Sequence, residues 1–416
     1  MINIVGFFRQ YLFHQRTYRR TPWTARALGQ CKVSIHSLHS CVLVALVVVA
    51  GCTTRVVGVK NLIPPGPTAE APALPLSCLD YRQGVRIDFF DVGQGDAALI
   101  TCPDGQTQTL IDAGDADWRY PKAHQKFLQA LRVALHGDRV VEFGINTHPD
   151  PDHVEGFLSL AIPSPQREIS LAVFFDNGLD NPDSMTEETI RHALGEGYIN
   201  LSAEGLHRIP ICPLSATTVA GPELQLYFPD DSASGQQLHC PGNLNDCGIV
   251  IRLVYGDTSL LFLADTTYTW ETYLLENSQM DVMFPSSSAT RVSIATLGHH
   301  GSQSMTEEFL NALAAKAFVV SSGSPGVATT EQFGYPERDV IERVVEVLES
   351  SSPMGTDQLS AVPTCERNTD GRCRWQTTNR HPLLYSTNID GTITAWSSGQ
   401  SICLSAAHRA DEQIIQ

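Results

Sequence analysis

Hydrophobic residues along this chain fall into short runs divided by glycine, proline and acidic turns, the rhythm of sheets with interleaved helices. Val85-Arg86-Ile87-Asp88-Phe89-Phe90-Asp91 alternates and predicts a strand, which runs through Val92-Gly93-Gln94-Gly95-Asp96 into a second apolar strand at Ala97-Ala98-Leu99-Ile100. A turn at Pro103-Asp104-Gly105 leads to Thr109-Leu110-Ile111-Asp112-Ala113-Gly114, a strand that ends on small residues and a carboxylate. Residues 120–136 have helical composition, and with an apolar, β-branched run at 140–147 they predict a strand-helix-strand unit. Further strands are predicted at 171–175, 249–255, 260–264, 294–297 and 317–321, and helices at 154–160, 185–194, 306–315 and 336–348. Residues 161–240 are otherwise loop-rich.

The predicted strand at 140–147 runs straight into His148-Pro149-Asp150-Pro151-Asp152-His153, four metal-ligand side chains in six residues. Two prolines predict that this run is a loop at a strand end, where imidazoles and carboxylates turn inward around a pair of divalent cations. Asp-Pro pairs are also ordinary turn formers, so a solvated turn is the lesser, competing reading of the run alone. Asp265, at the end of the hairpin 249–264, is likewise either a buried carboxylate needing counter-charge or a helix cap. Ile294-Ala295-Thr296-Leu297-Gly298-His299-His300-Gly301-Ser302 ends a strand on two histidines and a hydroxyl.

Taken together, these segments resemble the metallo-β-lactamase fold. The ligand run matches the H-x-D-x-D-H variant found in ComEC-like (competence protein) domains. Phe89 to Ala97 is similar to F-x-D-V-G-Q-G-D-A, Leu110 to Gly114 to L-I-D-x-G, Asn245-Asp246-Cys247 to N-x-[SC], and His299 to Ser302 to H-H-G-S. The resemblance covers about residues 85–395 and departs from the family at two places. Glu155-Gly156 stands for G-G, and Gly334-Tyr335-Pro336-Glu337-Arg338 stands for G-H-P-H-P.

It implies an αββα sandwich of two mixed sheets flanked by helices, with a dinuclear centre at one sheet edge. The implied ligands are His148, Asp150, Asp152, His153, Asp265 and one of His299 and His300, with Asp265 bridging. The other histidine or Ser302 would face substrate, and Asp152, His300 and Ser302 are the expected catalytic groups. Asp91, Asp112 and Asn245 would stand behind the ligands and orient them. The wider fold uses a third histidine between 161 and 240, where His192, His207 and His239 are available, but none sits in a motif. Asp150 in place of histidine makes one half of the centre oxygen-rich, so the two ions are expected to be zinc or manganese, with magnesium less suited.

Length admits one large two-sheet domain or two domains. The first 51 of the 416 residues hold six of the 28 basic and none of the 45 acidic side chains, then an apolar run of eleven from Cys41 to Gly51, too short to span a bilayer. This predicts a secretion signal over 1–51. Val49-Ala50-Gly51-Cys52 resembles a lipoprotein cleavage site, implying a lipidated Cys52 in the bacterial cell envelope, at the outer membrane, unless the signal is a plain one. Residues 52–84 then read as a Pro-rich tether, 85–400 as the domain with an insertion at 350–380, and 401–416 as a tail. Eight cysteines remain beyond Cys52, an even number suited to an oxidising compartment, and Cys240/Cys247 and Cys365/Cys373 are near enough to close small loops.

Residues 52–416 carry 22 basic against 45 acidic side chains, a net of −23. Such a surface repels long polyanions, which bind through many Lys and Arg contacts. Three functions therefore compete: hydrolysis of small or short phosphodiesters, hydrolysis of a lactam or lactone, and a non-catalytic exported binding protein.

Overall fold

The computed structural model describes Cys78 and residues 81–116, 121–213, 221–228, 230–231, 236–237, 243–276, 292–326, 330, 333–351, 360–409 and 412–415. The predicted signal, Cys52, most of the tether and His239 lie outside these residues. Among the described residues no helix is long and apolar enough to cross a membrane.

Two large mixed sheets form the frame. One has nine strands in the spatial order Gln413–Ile415, Ile402–Ala406, Ile393–Ser397, Val85–Phe89, Ala98–Thr101, Gln108–Ile111, Val140–Ile145, Ser170–Asp176 and Tyr198–Asn200. The other has seven, in the order Leu384–Ser386, Ala317–Val320, Ile294–Thr296, Thr258–Phe262, Val250–Tyr255, Glu223–Tyr227 and Arg208–Pro210. Parallel pairing is confined to the strands joined through helices, from Gln108–Ile111 to Tyr198–Asn200 and from Thr258–Phe262 to Leu384–Ser386.

Alternation explains the layering. Leu99 and Leu110 point to the outer face of the nine-stranded sheet, where Phe127 and Leu131 of the helix Pro121–Ala134 and Phe157 of the helix Gly156–Ala161 cover them. Burying each such side chain is worth about 1.5–3 kcal/mol. Leu261, Ala295 and Phe318 do the same on the other sheet, under Trp270, Phe309, Val340 and Val344. The inner faces meet each other, with Phe89 and Phe262 rings 5.9 Å apart. This is the αββα sandwich expected from the sequence.

Two expectations change, and the insertion and the cysteines take definite form. Residues 401–416 are no tail: Ile402–Ala406 and Gln413–Ile415 extend the nine-stranded sheet, because Ile402 and Leu404 alternate with Cys403 and Ser405 and are buried. The insertion is a long antiparallel hairpin, Ser360–Arg367 with Cys373–Arg380, closed by the Cys365–Cys373 disulfide. Asp152 and His153 are not in a loop but in a short helix, Pro151–Val154, since Pro151 occupies the first helical position, where no amide is needed. Two further disulfides, Cys78–Cys403 and Cys102–Cys212, bridge 325 and 110 residues of chain. Cys247 is also disulfide-bonded, and Cys240 lies outside the described residues.

Candidate metal centre

Four strand ends of the two sheets deliver the site. His148, Asp150, Asp152 and His153 follow Val140–Ile145, Asp112 follows Gln108–Ile111, Asp265 follows Thr258–Phe262, and His299 and His300 follow Ile294–Thr296. The loop Asp91 to Asp96 closes over the short helix. Gly95, at φ +122°, brings backbone so near that an added Cβ would lie 2.2 Å from the carbonyl oxygen of Asp152, and the Asp96 amide donates to that same oxygen.

Left-handed backbone marks the site. Asp112, Ala264, His299 and His300 have φ of 52°, 49°, 48° and 55°, a conformation costing non-glycine residues about 1–3 kcal/mol each. The two-histidine turn is held by the His299 amide on the Ala264 carbonyl, 2.9 Å, and the Glu337 amide on the Gly301 carbonyl, 2.8 Å.

Hydrogen bonds fix which nitrogen of each imidazole carries the proton. The Asp112 carboxylate accepts from the Thr147 amide and hydroxyl, 2.8 and 2.7 Å, and from His153 Nδ1, 2.9 Å. The spent Thr147 hydroxyl then accepts from His148 Nδ1 at 3.1 Å, and the Ser321 carbonyl accepts from His300 Nδ1 at 3.0 Å. All three Nε2 atoms therefore present lone pairs inward.

What they face divides in two. His153 Nε2 and His300 Nε2 are 3.3 Å apart, each lies within 3.3 Å of Asp265 Oδ1, and His300 Nε2 is 3.2 Å from Asp152 Oδ2. Asp96 belongs to the same group. Ligands about 2.0–2.2 Å from one ion at tetrahedral angles stand about 3.3–3.6 Å from each other, so this spacing fits a single cation. In the second group His148 Nε2 is 3.7 Å from both Asp150 Oδ2 and Asp265 Oδ2, and it is fully buried without a hydrogen-bond partner. Asp265 thus offers one oxygen to each group.

Electrostatics point the same way. Burial pushes the histidines down, but the carboxylates outweigh it: Asp150 and Asp265 hold His148 up at about 9, and Asp265, Asp152 and Asp96 hold His300 up at about 9. Asp265 and Asp112 keep His153 well above its usual value. Burial raises Asp152, yet the His300 hydrogen bond and the His153 and His300 charges pull it down to about 2. Burial lifts Asp96 to about 6 against the pull of His300 and His153. The cluster calls for positive charge that neutral imidazoles with inward lone pairs do not supply, which is the donor set of a divalent cation pair.

The predicted ligands His148, Asp150, Asp152, His153 and Asp265 are brought together, and of the histidine pair His300 is the one in the cluster. His299 stands beside it, a quarter exposed, 3.5 Å from Asp265 Oδ2, with Asn245 Nδ2 3.2 Å from its Nε2. Asp112 accepts from Thr147 and His153, and Asn245 Nδ2 reaches Asp265 and His299. Asp91, expected to stand behind the ligands, instead pairs with Lys126 and accepts from the Gly93 amide at 3.2 Å, shaping its own turn. Ser302 is buried, and its amide donates to the His299 carbonyl at 2.9 Å, closing the turn. No third histidine joins among the described residues: His207 packs on Phe228 and His192 lies on the helix Thr186–Leu194. Asp96 went unpredicted, although a carboxylate following Gly95, in a turn beside the ligand run, was the available signal.

No family model matches the chain. ComE operon protein 3 of Bacillus subtilis (strain 168) is 24% identical over 302 residues, 68% of this chain and 33% of the relative, so the chain spans about a third of that relative's length. A diphosphatase of the PhnP family aligns with a TM-score of 0.30 and 13% identity, covering 62% of this chain and 91% of that one. A mutant of the CmlA beta-hydroxylase aligns with a TM-score of 0.34 and 12% identity, covering 64% of this chain and 51% of that one. The relative agrees with the ComEC-like motifs, and the strand order with the fold they imply.

Proposed function

We propose that this chain is a metal-dependent hydrolase of small phosphodiesters. The observation that carries the reading is the convergence of three imidazole Nε2 atoms, their tautomers fixed from behind, on carboxylates that share Asp265. Two divalent cations bound there would make water acidic near neutral pH and neutralise charge on phosphoryl oxygens. His148, His153 and His300, with Asp96, Asp150, Asp152 and Asp265, would hold that pair. His299, a quarter exposed and contacted by Asn245, would donate to a phosphate oxygen or leaving group.

Carboxylates outnumber imidazoles in this centre, which favours hard phosphoryl oxygens over a lactam carbonyl and admits manganese beside zinc. The net charge of −17 disfavours long nucleic acid as substrate. A lipid anchor at Cys52 facing the periplasm is proposed with this function, on the sequence alone.

The test reconstitutes the full chain with zinc or with manganese, then compares turnover of bis(p-nitrophenyl) phosphate, a chromogenic lactam and long duplex DNA. Cleavage of the small diester together with near two equivalents of bound metal is expected. Lactam turnover alone, or near-zero metal with either ion, would overturn the reading.

A further inference from the structure

Where the family segment has histidines, this chain has an aromatic one, and the structure places it against the metal centre. The Tyr335 ring lies 5.1 Å from the His299 ring at 62°, and His299 in turn reaches Asp265. Phe333 runs nearly parallel to Tyr335, at 13° with centroids 6.2 Å apart, and is 39% exposed. Aromatic side chains of that size bury themselves where the fold lets them; Phe333 stays partly exposed, one ring beyond Tyr335 and His299.

The pair is held from behind. Pro336 packs on Gly301 of the two-histidine turn, where an added Cβ would meet it at 2.8 Å. The insertion hairpin grips the same segment. Its Cys365 amide donates to the Pro336 carbonyl at 2.9 Å, Arg367 donates to the Phe333 carbonyl and to Glu337, and Arg367 stands 5.9 Å from the Tyr335 ring centroid. Gly334, at φ +70°, leaves room for the disulfide, whose Cys365 Sγ would be 2.9 Å from an added Cβ. A 21-residue hairpin from Ser360 to Arg380 thus braces the segment 333–337 at the edge of the site.

Resting on the phosphodiesterase reading, we infer that Phe333 and Tyr335 form a wall that stacks a nucleobase of the substrate while His299 and the metal cluster hold its phosphate. The charge balance favours this means of recognition. A chain with 45 acidic and 28 basic side chains has few cations to spare for a sugar-phosphate backbone. Stacking on a neutral ring needs none, tolerates any base, and is worth about tenfold or more in affinity per base. The substrate class is a mononucleotide or short nucleotide phosphodiester.

The experiment compares thymidine 5′-p-nitrophenyl phosphate with methyl p-nitrophenyl phosphate, which share a leaving group and differ by the nucleoside. It uses the metal-reconstituted full chain as wild type, Tyr335→Ala, Tyr335→Phe and Phe333→Ala. The ratio of kcat/KM for the two substrates should fall about tenfold in both alanine variants, chiefly through KM, and return in Tyr335→Phe. A second, turnover-free measurement titrates thymidine 5′-monophosphate against ribose 5-phosphate by calorimetry. Tighter binding of the nucleotide, little changed by salt and lost in Phe333→Ala, supports the wall. Equal affinity for the two ligands, or a ratio that ignores both alanine changes, overturns it even if both diesters are cleaved. Base-dependent binding without cleavage of either diester would leave the wall standing and remove the hydrolase reading. Should Tyr335→Ala fail to fold, Phe333→Ala decides, because that ring is exposed.

Discussion

The half of the centre around His153 and His300 and the half around His148 share Asp265 but are closed to different degrees. The first gathers Asp96, His153, His300 and Asp265 Oδ1, with donor atoms close enough for one ion, and Asp152 Oδ2 stands 3.2 Å from His300 Nε2. The second has His148, Asp150 and Asp265 Oδ2, at the looser spacing of 3.7 Å, with the partly exposed His299 nearby. Sites that only hold a metal surround it, whereas sites that react keep a position open. On the proposed function, the first half would hold its ion and the second would exchange substrate.

Removing the shared group breaks the comparison outright. Asp265→Ala takes one oxygen from each half and leaves three inward lone pairs facing each other. Elemental analysis should find no more than one equivalent of bound metal, since the lean half keeps only His148 and Asp150, and turnover should fall about a thousandfold, the equivalent of several kcal/mol of charge stabilisation. Retention of two metal equivalents would show that Asp265 does not join the halves.

Changing one side at a time sharpens it. Asp150→Ala should drop the stoichiometry from two equivalents to one in a chelator competition, because the lean half keeps only His148 and a shared oxygen. Asp96→Ala removes one group of five from the other half, so both equivalents should remain with the tighter step weakened. The opposite ranking would reverse the two roles.

The smallest effect comes from behind the ligands. Asp112 orients His153 directly and His148 through Thr147, so Asp112→Asn should weaken both binding steps by about 10–100-fold. Thr147→Val touches only the His148 branch and should weaken one. Identical binding curves for the two variants would refute the relay.

Most of this centre was legible because its ligands sit at strand ends in short, distinctive runs. His148 to His153, Asp265 and the histidine pair could be read from the order of their motifs and the family resemblance those motifs carry. Which histidine turns inward could not, since that depends on two successive left-handed residues set by contacts with Ala264 and Glu337. Asp96 was hidden in a turn that already had a sufficient explanation in its glycines, and Asp91 attracted a role through the same motif although Lys126 lies beside it. The tail at 401–416 was misread because a five-residue alternation at a chain end is a weak signal until a neighbouring strand supplies its partner. The insertion was seen as a departure, but its bearing on Tyr335 lies in a register of tertiary contacts that no local pattern records.

The Cys78–Cys403 disulfide gives the domain a mechanical property. Cys403 sits in the strand Ile402–Ala406, paired on both sides, while Cys78 precedes the first strand of the fold. A pull on the chain ahead of Cys78 is taken up by the covalent bridge and passed into the interior of a nine-stranded sheet. The strand Val85–Phe89, flanked by two partners, carries none of that load. Peeling from this end therefore waits on reduction of one bond, so a domain under tension from its leading segment keeps its metal-bearing strand ends in register for as long as its surroundings stay oxidising.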